Sequence, residues 1–145
     1  RLRKVEQNCR RLGITCVKTV PSNQLESTVK DMRIDAILAD VPCSNAGVMA
    51  KRCEVRHRIT KSAVETLCRT QLSILQRAAE FAADGTRICY STCCITNAET
   101  RCVIDSFLAS NPGFSLDCEK LTLPAVKTAD YDDIDGGYIA LLTKK

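Results

Sequence analysis

A chain of 145 residues with a net charge of +4 matches one domain by length and can bury roughly two thirds of the surface its unfolded form exposes. Its balanced charge and moderate apolar content exclude disordered and collagen-like classes, and no apolar run nears the roughly 20 residues of a membrane helix. The basic start, Arg1-Leu-Arg3-Lys4, is not followed by a signal-peptide core, so the chain reads as intracellular and cytoplasmic, with no membrane partner.

Ten cysteines in such a chain read as reduced thiols rather than a disulfide frame. Zinc is not expected: no Cys-x-x-Cys pair occurs, and the sole histidine, His57, lies in a run of cations.

In chain order, Leu2, Val5, Cys9 and Leu12 recur at spacings of three and four, which predicts an amphipathic helix over 2–12 with Gly13 as its stop. Ile14 to Val20 alternates apolar and polar residues before Pro21-Ser-Asn and predicts a strand. A short helix from about Gln24 to Met32 leads to a second strand, Asp35 to Ala39. Helix, strand, helix, strand argues for parallel crossovers.

A loop over 44–60 follows, whose second half, Lys51 to Lys61, sets five cations (Lys51, Arg52, Arg56, Arg58, Lys61) against Glu54 alone. Ser62-Ala-Val-Glu65 has the form of a capping box opening a long helix to Asp84-Gly85. Thr86 to Tyr90 reads as a buried strand. Thr96-Asn-Ala-Glu99 has the form of a second capping box, opening a helix that ends at Asn111-Pro112-Gly113. Phe114 to Leu123 and Tyr138 to Thr143 predict two strands joined without a helix, an antiparallel edge on an otherwise parallel sheet. Between them lies an acidic turn, Asp130-Tyr-Asp-Asp133-Ile-Asp135-Gly136-Gly137.

Two stretches share one grammar: Asp35 to Asp40 running into Val-Pro-Cys43-Ser44-Asn-Ala-Gly47, and Cys89-Tyr-Ser-Thr92 running into Cys93-Cys94. Each is a strand that changes abruptly to small and polar residues at a cysteine. Ligands of open α/β sheets bind beyond the carboxyl ends of the strands, so both cysteines are candidates for facing one pocket.

These boxes resemble the Nol/Nop/Sun class of RNA (cytosine-5) methyltransferases. The resemblance rests on Asp40-Val-Pro42-Cys43-Ser44 with Gly47, on Tyr90-Ser91-Thr92-Cys93 followed by Glu99, and on Arg11-Leu12-Gly13-Ile14. Phe107-Leu108, Asn111-Pro112-Gly113-Phe114 and Asp135-Gly136-Gly137-Tyr138 extend it. It implies a partial Rossmann-like α/β fold using S-adenosylmethionine, and RNA, ribosomal RNA foremost, as substrate.

By the same resemblance Cys93 is the nucleophile that adds to ring carbon 6 of cytosine, and Cys43 assists breakdown of the adduct. DNA cytosine methyltransferases use the Pro-Cys position as nucleophile, so Cys43 stays a rival. Cys94 is a weaker one, at what is usually a serine. Asp40 resembles the residue facing cofactor and base, its alternative being a loop aspartate capping backbone amides. Asn23 stands at an adenine- or ribose-binding position. Lys51, Arg52, Arg56 and Arg58 are candidates for RNA phosphates, or for a solvated loop.

The chain departs from the family in lacking a glycine-rich cofactor loop. Its six glycines form no Gly-x-Gly array, and close backbone approach to a cofactor needs glycine. The expectation is that residues 1–145 are the carboxyl-terminal part of the catalytic domain. A missing amino-terminal segment, or a second copy, would then complete the sheet, and the isolated chain would bind cofactor poorly. The alternative is a non-catalytic RNA-binding or assembly module.

Overall fold

The computed structural model describes residues 2–126 and 133–145. They fall into two compact units, Arg1–Arg33 and Ile34–Lys145. No helix among the described residues is long and apolar enough to cross a membrane.

The first unit holds helix α1 (Leu2–Leu12) and the short α2 (Leu25–Val29), preceded by a 3-10 turn at Ser22–Gln24. Gly13 ends α1 as the spacing predicts. At φ +67° it lets its own N–H reach the Arg10 carbonyl at 3.2 Å and the Ile14 N–H reach the Cys9 carbonyl at 2.9 Å, a left-handed cap that satisfies the last carbonyls. The strand expected over Ile14 to Val20 does not form. A strand exists only with a ladder partner, and the described residues offer this segment none. It is held instead by the Thr19 hydroxyl donating to Glu6 at 2.6 Å.

The second unit is built on four strands, β1 (Ala36–Asp40), β2 (Arg87–Thr92), β3 (Phe114–Thr122) and β4 (Gly137–Lys144), in the order β1-β2-β4-β3. β1 and β2 are parallel, with Asp40 opposite Ser91. β4 is antiparallel to both β2 and β3. The fold is thus α/β on an open mixed sheet. Of the parallel part the described residues contain one pair, and the antiparallel part is the hairpin expected from two late strands without a helix between them.

Helices α3 (Lys61–Glu80) and α4 (Arg101–Ser110) cover one sheet face. Ile88, Tyr90, Ala140 and Leu142 meet Leu75, Ala78, Ile104 and Phe107 there, all buried, and Phe107 packs edge-on against Phe114 at 5.2 Å. On the other face Leu38 is 69% exposed and Ile139 47%.

Neither capping box forms as predicted. Thr60 caps α3, its hydroxyl accepting from the Ala63 N–H at 3.2 Å, because its extended backbone places that oxygen over the first turn. Ser62 already lies inside the helix. α4 begins only at Arg101, after a 3-10 turn at Asn97–Glu99, and the Glu99 side chain turns inward instead of back to Thr96. Of the expected acidic turn, Asp130, Tyr131 and Asp132 lie outside the described residues.

Candidate active site

The parallel register of β1 and β2 brings their carboxyl ends level. The Val41 N–H continues the ladder to the Ser91 carbonyl at 3.0 Å, after which both chains turn away. The two turns deliver Cys43 and Cys93 to the same point, Sγ to Sγ 3.1 Å.

Between them sits Asn45, left-handed at φ 63°, a conformation asparagine tolerates better than most residues. Its side-chain oxygen accepts the Cys93 S–H at 2.9 Å, and its backbone N–H donates to the Cys43 sulfur at 3.4 Å. Cys93 thus donates at short range, while the Cys43 sulfur accepts the Asn45 N–H and holds its own S–H 3.9 Å from the same side-chain oxygen. Burial, then the hydrogen bond and charge of Cys43, then the charge of Asp40, push the Cys93 thiol up to about 12.

Gly47 makes this packing possible. Its N–H binds the Cys93 carbonyl at 3.0 Å and its carbonyl takes the Gly136 N–H at 2.8 Å. A Cβ on Gly47 would lie 2.3 Å from the Gly136 oxygen, so any side chain would force three loops apart.

Beneath the cysteines is a buried polar cluster. Glu99 is fully buried. Its Oε1 accepts the Ser44 N–H at 2.9 Å and the Gln71 amide at 3.0 Å. Its Oε2 accepts the Cys94 S–H at 3.0 Å, and its backbone carbonyl accepts the Tyr90 hydroxyl at 2.7 Å. Gln71 also donates to the Pro42 carbonyl at 2.9 Å.

Cys94 is fully buried, its thiol pushed up chiefly by burial, and no incoming base can reach it. The same burial, with the Glu99 charge adding to it, raises Tyr90, so the tyrosine of its box is a core residue with a satisfied hydroxyl.

Two cavities flank the sulfur pair. One of about 390 Å³ lies at the strand ends and is lined by Asp40, Ser91, Cys93, Lys120, Asp135 and Tyr138 among others. The second, of about 230 Å³, includes Cys43, Asn45, Arg52, Arg58, Val64 and Leu67 in its walls.

The structure thus brings together Cys43, Cys93 and Asp40. Arg52 and Arg58 stand at the cavity beside Cys43. Lys51 lies within 2.8 Å of Asp135, whose hydrogen bond and charge raise its pKa. Arg56 is exposed and donates to His57 at 3.3 Å. Of these cations Arg56 lies within a 3-10 helix at Cys53–His57, whose one buried residue is Val55, and Arg52 and Arg58 flank it. Asn23 is exposed and belongs to the first unit.

Asn45 and Gln71 are absent from the sequence-based candidates. Gln71 had a signal: it lies four residues from both Leu67 and Leu75, a polar residue within an apolar stripe. Asn45 had a weaker one, a residue suited to positive φ between Cys43 and Gly47.

Among known families, the sequence model of the 16S rRNA methyltransferase RsmB/F family matches residues 1–136. The ribosomal RNA small subunit methyltransferase B of Proteus mirabilis is 29% identical over 146 residues, covering 100% of this chain and 33% of the relative. The tRNA (cytosine(72)-C(5))-methyltransferase of Pyrococcus horikoshii is 34% identical over 99 residues, covering 68% of this chain and 25% of the relative. The crystal structure of NSun6 from Pyrococcus horikoshii with SFG superposes with a TM-score of 0.73 at 26% identity, covering 99% of this chain and 38% of that one. The chain spans about a third of the length of the curated relatives it matches.

Proposed function

The chain belongs to the 16S rRNA methyltransferase RsmB/F family, and on that premise we propose that it forms the base-side half of an RNA cytosine-5 methyltransferase site, with Cys93 as the nucleophile. The observation that carries this reading is the 3.1 Å approach of Cys43 to Cys93 beside a cavity that Asp40 also lines.

Ring carbon 5 of cytosine is too weak a nucleophile to take a methyl group unaided. Addition of the Cys93 sulfur to carbon 6 turns the ring into an enamine whose carbon 5 attacks. Asp40, as a carboxylate, would accept a hydrogen bond from the amino group of the base, and from ring nitrogen 3 once that nitrogen is protonated. After transfer the carbon 5 proton passes to a base, for which the Cys43 sulfur is placed. The Cys93–carbon 6 bond then breaks, returning its electron pair to sulfur and restoring the double bond.

S-adenosylmethionine, when bound, supplies the electrophilic methyl group. Of this chain, Asp40 suits the cofactor's ammonium end, and Asn23 remains an expectation from resemblance. The glycine cradle for the rest is not among these residues, so the fit is to one end of the cofactor only. Arg52, Arg56, Arg58 and Lys51 would contact RNA phosphates.

One observation favours the alternative of a non-catalytic RNA-binding module: the Cys93 thiol, pushed up to about 12, rests protonated at neutral pH. That proton need not leave beforehand: it can pass to ring nitrogen 3 as the sulfur adds, which leaves the Cys43 sulfur free for the carbon 5 proton, and it returns to Cys93 when the carbon 6 bond breaks.

Trapping decides between the two. The chain, supplied with the upstream segment its relatives carry, S-adenosylmethionine and RNA containing 5-fluorocytosine, should form a covalent adduct, because fluorine on carbon 5 blocks elimination. Cys93→Ala should abolish the adduct. RNA retained without any adduct in the unaltered protein, or an adduct persisting in Cys93→Ala, would sink the nucleophile assignment.

A further inference from the structure

We infer that Glu99 is a positioning residue: its buried carboxylate ties the Cys43 loop to the Cys93 loop and so sets the distance between the two thiols. The inference rests on the proposed site, although its physical basis is independent of methyl transfer. Glu99 never reaches the sulfur pair. It acts one residue beyond each member, through the Ser44 N–H at 2.9 Å and the Cys94 S–H at 3.0 Å.

The two loops come from strands about fifty residues apart in sequence, and each would otherwise end in small, flexible residues. A carboxylate is acceptor-only and offers two oxygens, so it can face donors from both loops at once. Gln71 closes the cluster from α3, donating to Glu99 and to the Pro42 carbonyl on the other side of Cys43. The Tyr90 hydroxyl holds the Glu99 backbone at 2.7 Å. Glu99, Gln71, Tyr90 and Cys94 are buried and Ser44 is half-buried, where charge-assisted hydrogen bonds are strongest and lost partners most costly.

The serine usual at position 94 would present a hydroxyl to the same oxygen, so the cysteine here preserves the donor. The purely local reading, a capping box with Thr96, is excluded because Glu99 points away from the helix start.

The test reads the Cys43–Cys93 distance as an equilibrium. In this chain, two thiols and one oxidised glutathione give one protein disulfide and two reduced glutathiones. At half-oxidation the square of the reduced glutathione concentration divided by the oxidised one therefore measures the effective concentration of one sulfur at the other. Peptide mapping by mass spectrometry separates this bond from mixed disulfides at exposed Cys16, Cys53, Cys102 and Cys118.

With circular dichroism confirming the fold, Glu99→Ala should lower that effective concentration by about tenfold, the worth of one lost charge-assisted bond. Cys94→Ser, which keeps the donor, should stay within about twofold. Should Glu99→Ala not fold, the isosteric Glu99→Gln decides: its amide turns a donor toward one loop, and a fall of about threefold or more is expected. A folded Glu99→Ala within about twofold of the parent, or a folded Glu99→Gln losing less than about threefold, overturns the inference. No RNA or cofactor enters the assay, so failure of the methyltransferase reading leaves its result intact.

Discussion

Cys93 donates its S–H to the Asn45 side chain at 2.9 Å while Asn45 directs its own backbone N–H at Cys43, 3.4 Å away. One residue thereby makes two chemically identical thiols unequal.

That inequality is measurable as reactivity. With Cys93 pushed up to about 12, first by burial and then by Cys43, iodoacetamide should alkylate it at neutral pH at least about tenfold more slowly than exposed Cys16, because the thiolate is the reacting species. Cys43→Ala removes the second and third causes and should speed alkylation of Cys93. Slower or unchanged alkylation would contradict the assignment of Cys43 as acceptor.

The same shift carries a stability consequence with a definite sign. Between the ordinary thiol value of 9.0 and about 12 the unfolded chain has lost the Cys93 proton while the folded chain keeps it. Stability therefore falls as pH rises through this window and is fully present below it. Urea titrations across the alkaline range should show a smaller decline for Cys93→Ala than for the parent.

Gly47→Ala should destabilise by about 1–3 kcal/mol, the usual cost of overpacking, because its Cβ would meet the Gly136 oxygen at 2.3 Å and the Cys93 oxygen at 2.8 Å. Gly113→Ala is the control: a Cβ there meets nothing within 4 Å, so it should stay within about 0.5 kcal/mol. Thermal melts of both variants check the contrast.

Lys51 and Asp135 form an ion pair whose side chains are 57% and 38% exposed. Lys51→Ala should leave the stability almost unchanged, because water and salt screen an exposed pair. If Lys51 also serves RNA, the variant should flatten the dependence of log K on log salt by roughly 0.7–0.9, the share of one phosphate contact. An unchanged slope in filter-binding titrations would leave the lysine as a loop tether to Asp135.

What the sequence determined by itself was local. The 2–12 helix and its Gly13 stop follow from spacing and from glycine's freedom at positive φ. The strands bearing the two cysteine boxes follow from short apolar runs that break into small polar residues. Tertiary structure decided whatever depended on a distant partner. Ile14 to Val20 has a strand's alternation but no ladder among the described residues, and Gln71 became buried because Pro42 and Glu99 await its amide.

Glu99 is the clearest case. Its spacing from Thr96 fits a helix cap, worth about 1 kcal/mol at a solvated end, yet in the folded chain three donors from two loops and a helix converge on its carboxylate. Buried donors left unpaired cost more than a cap contributes, so the long-range partners won.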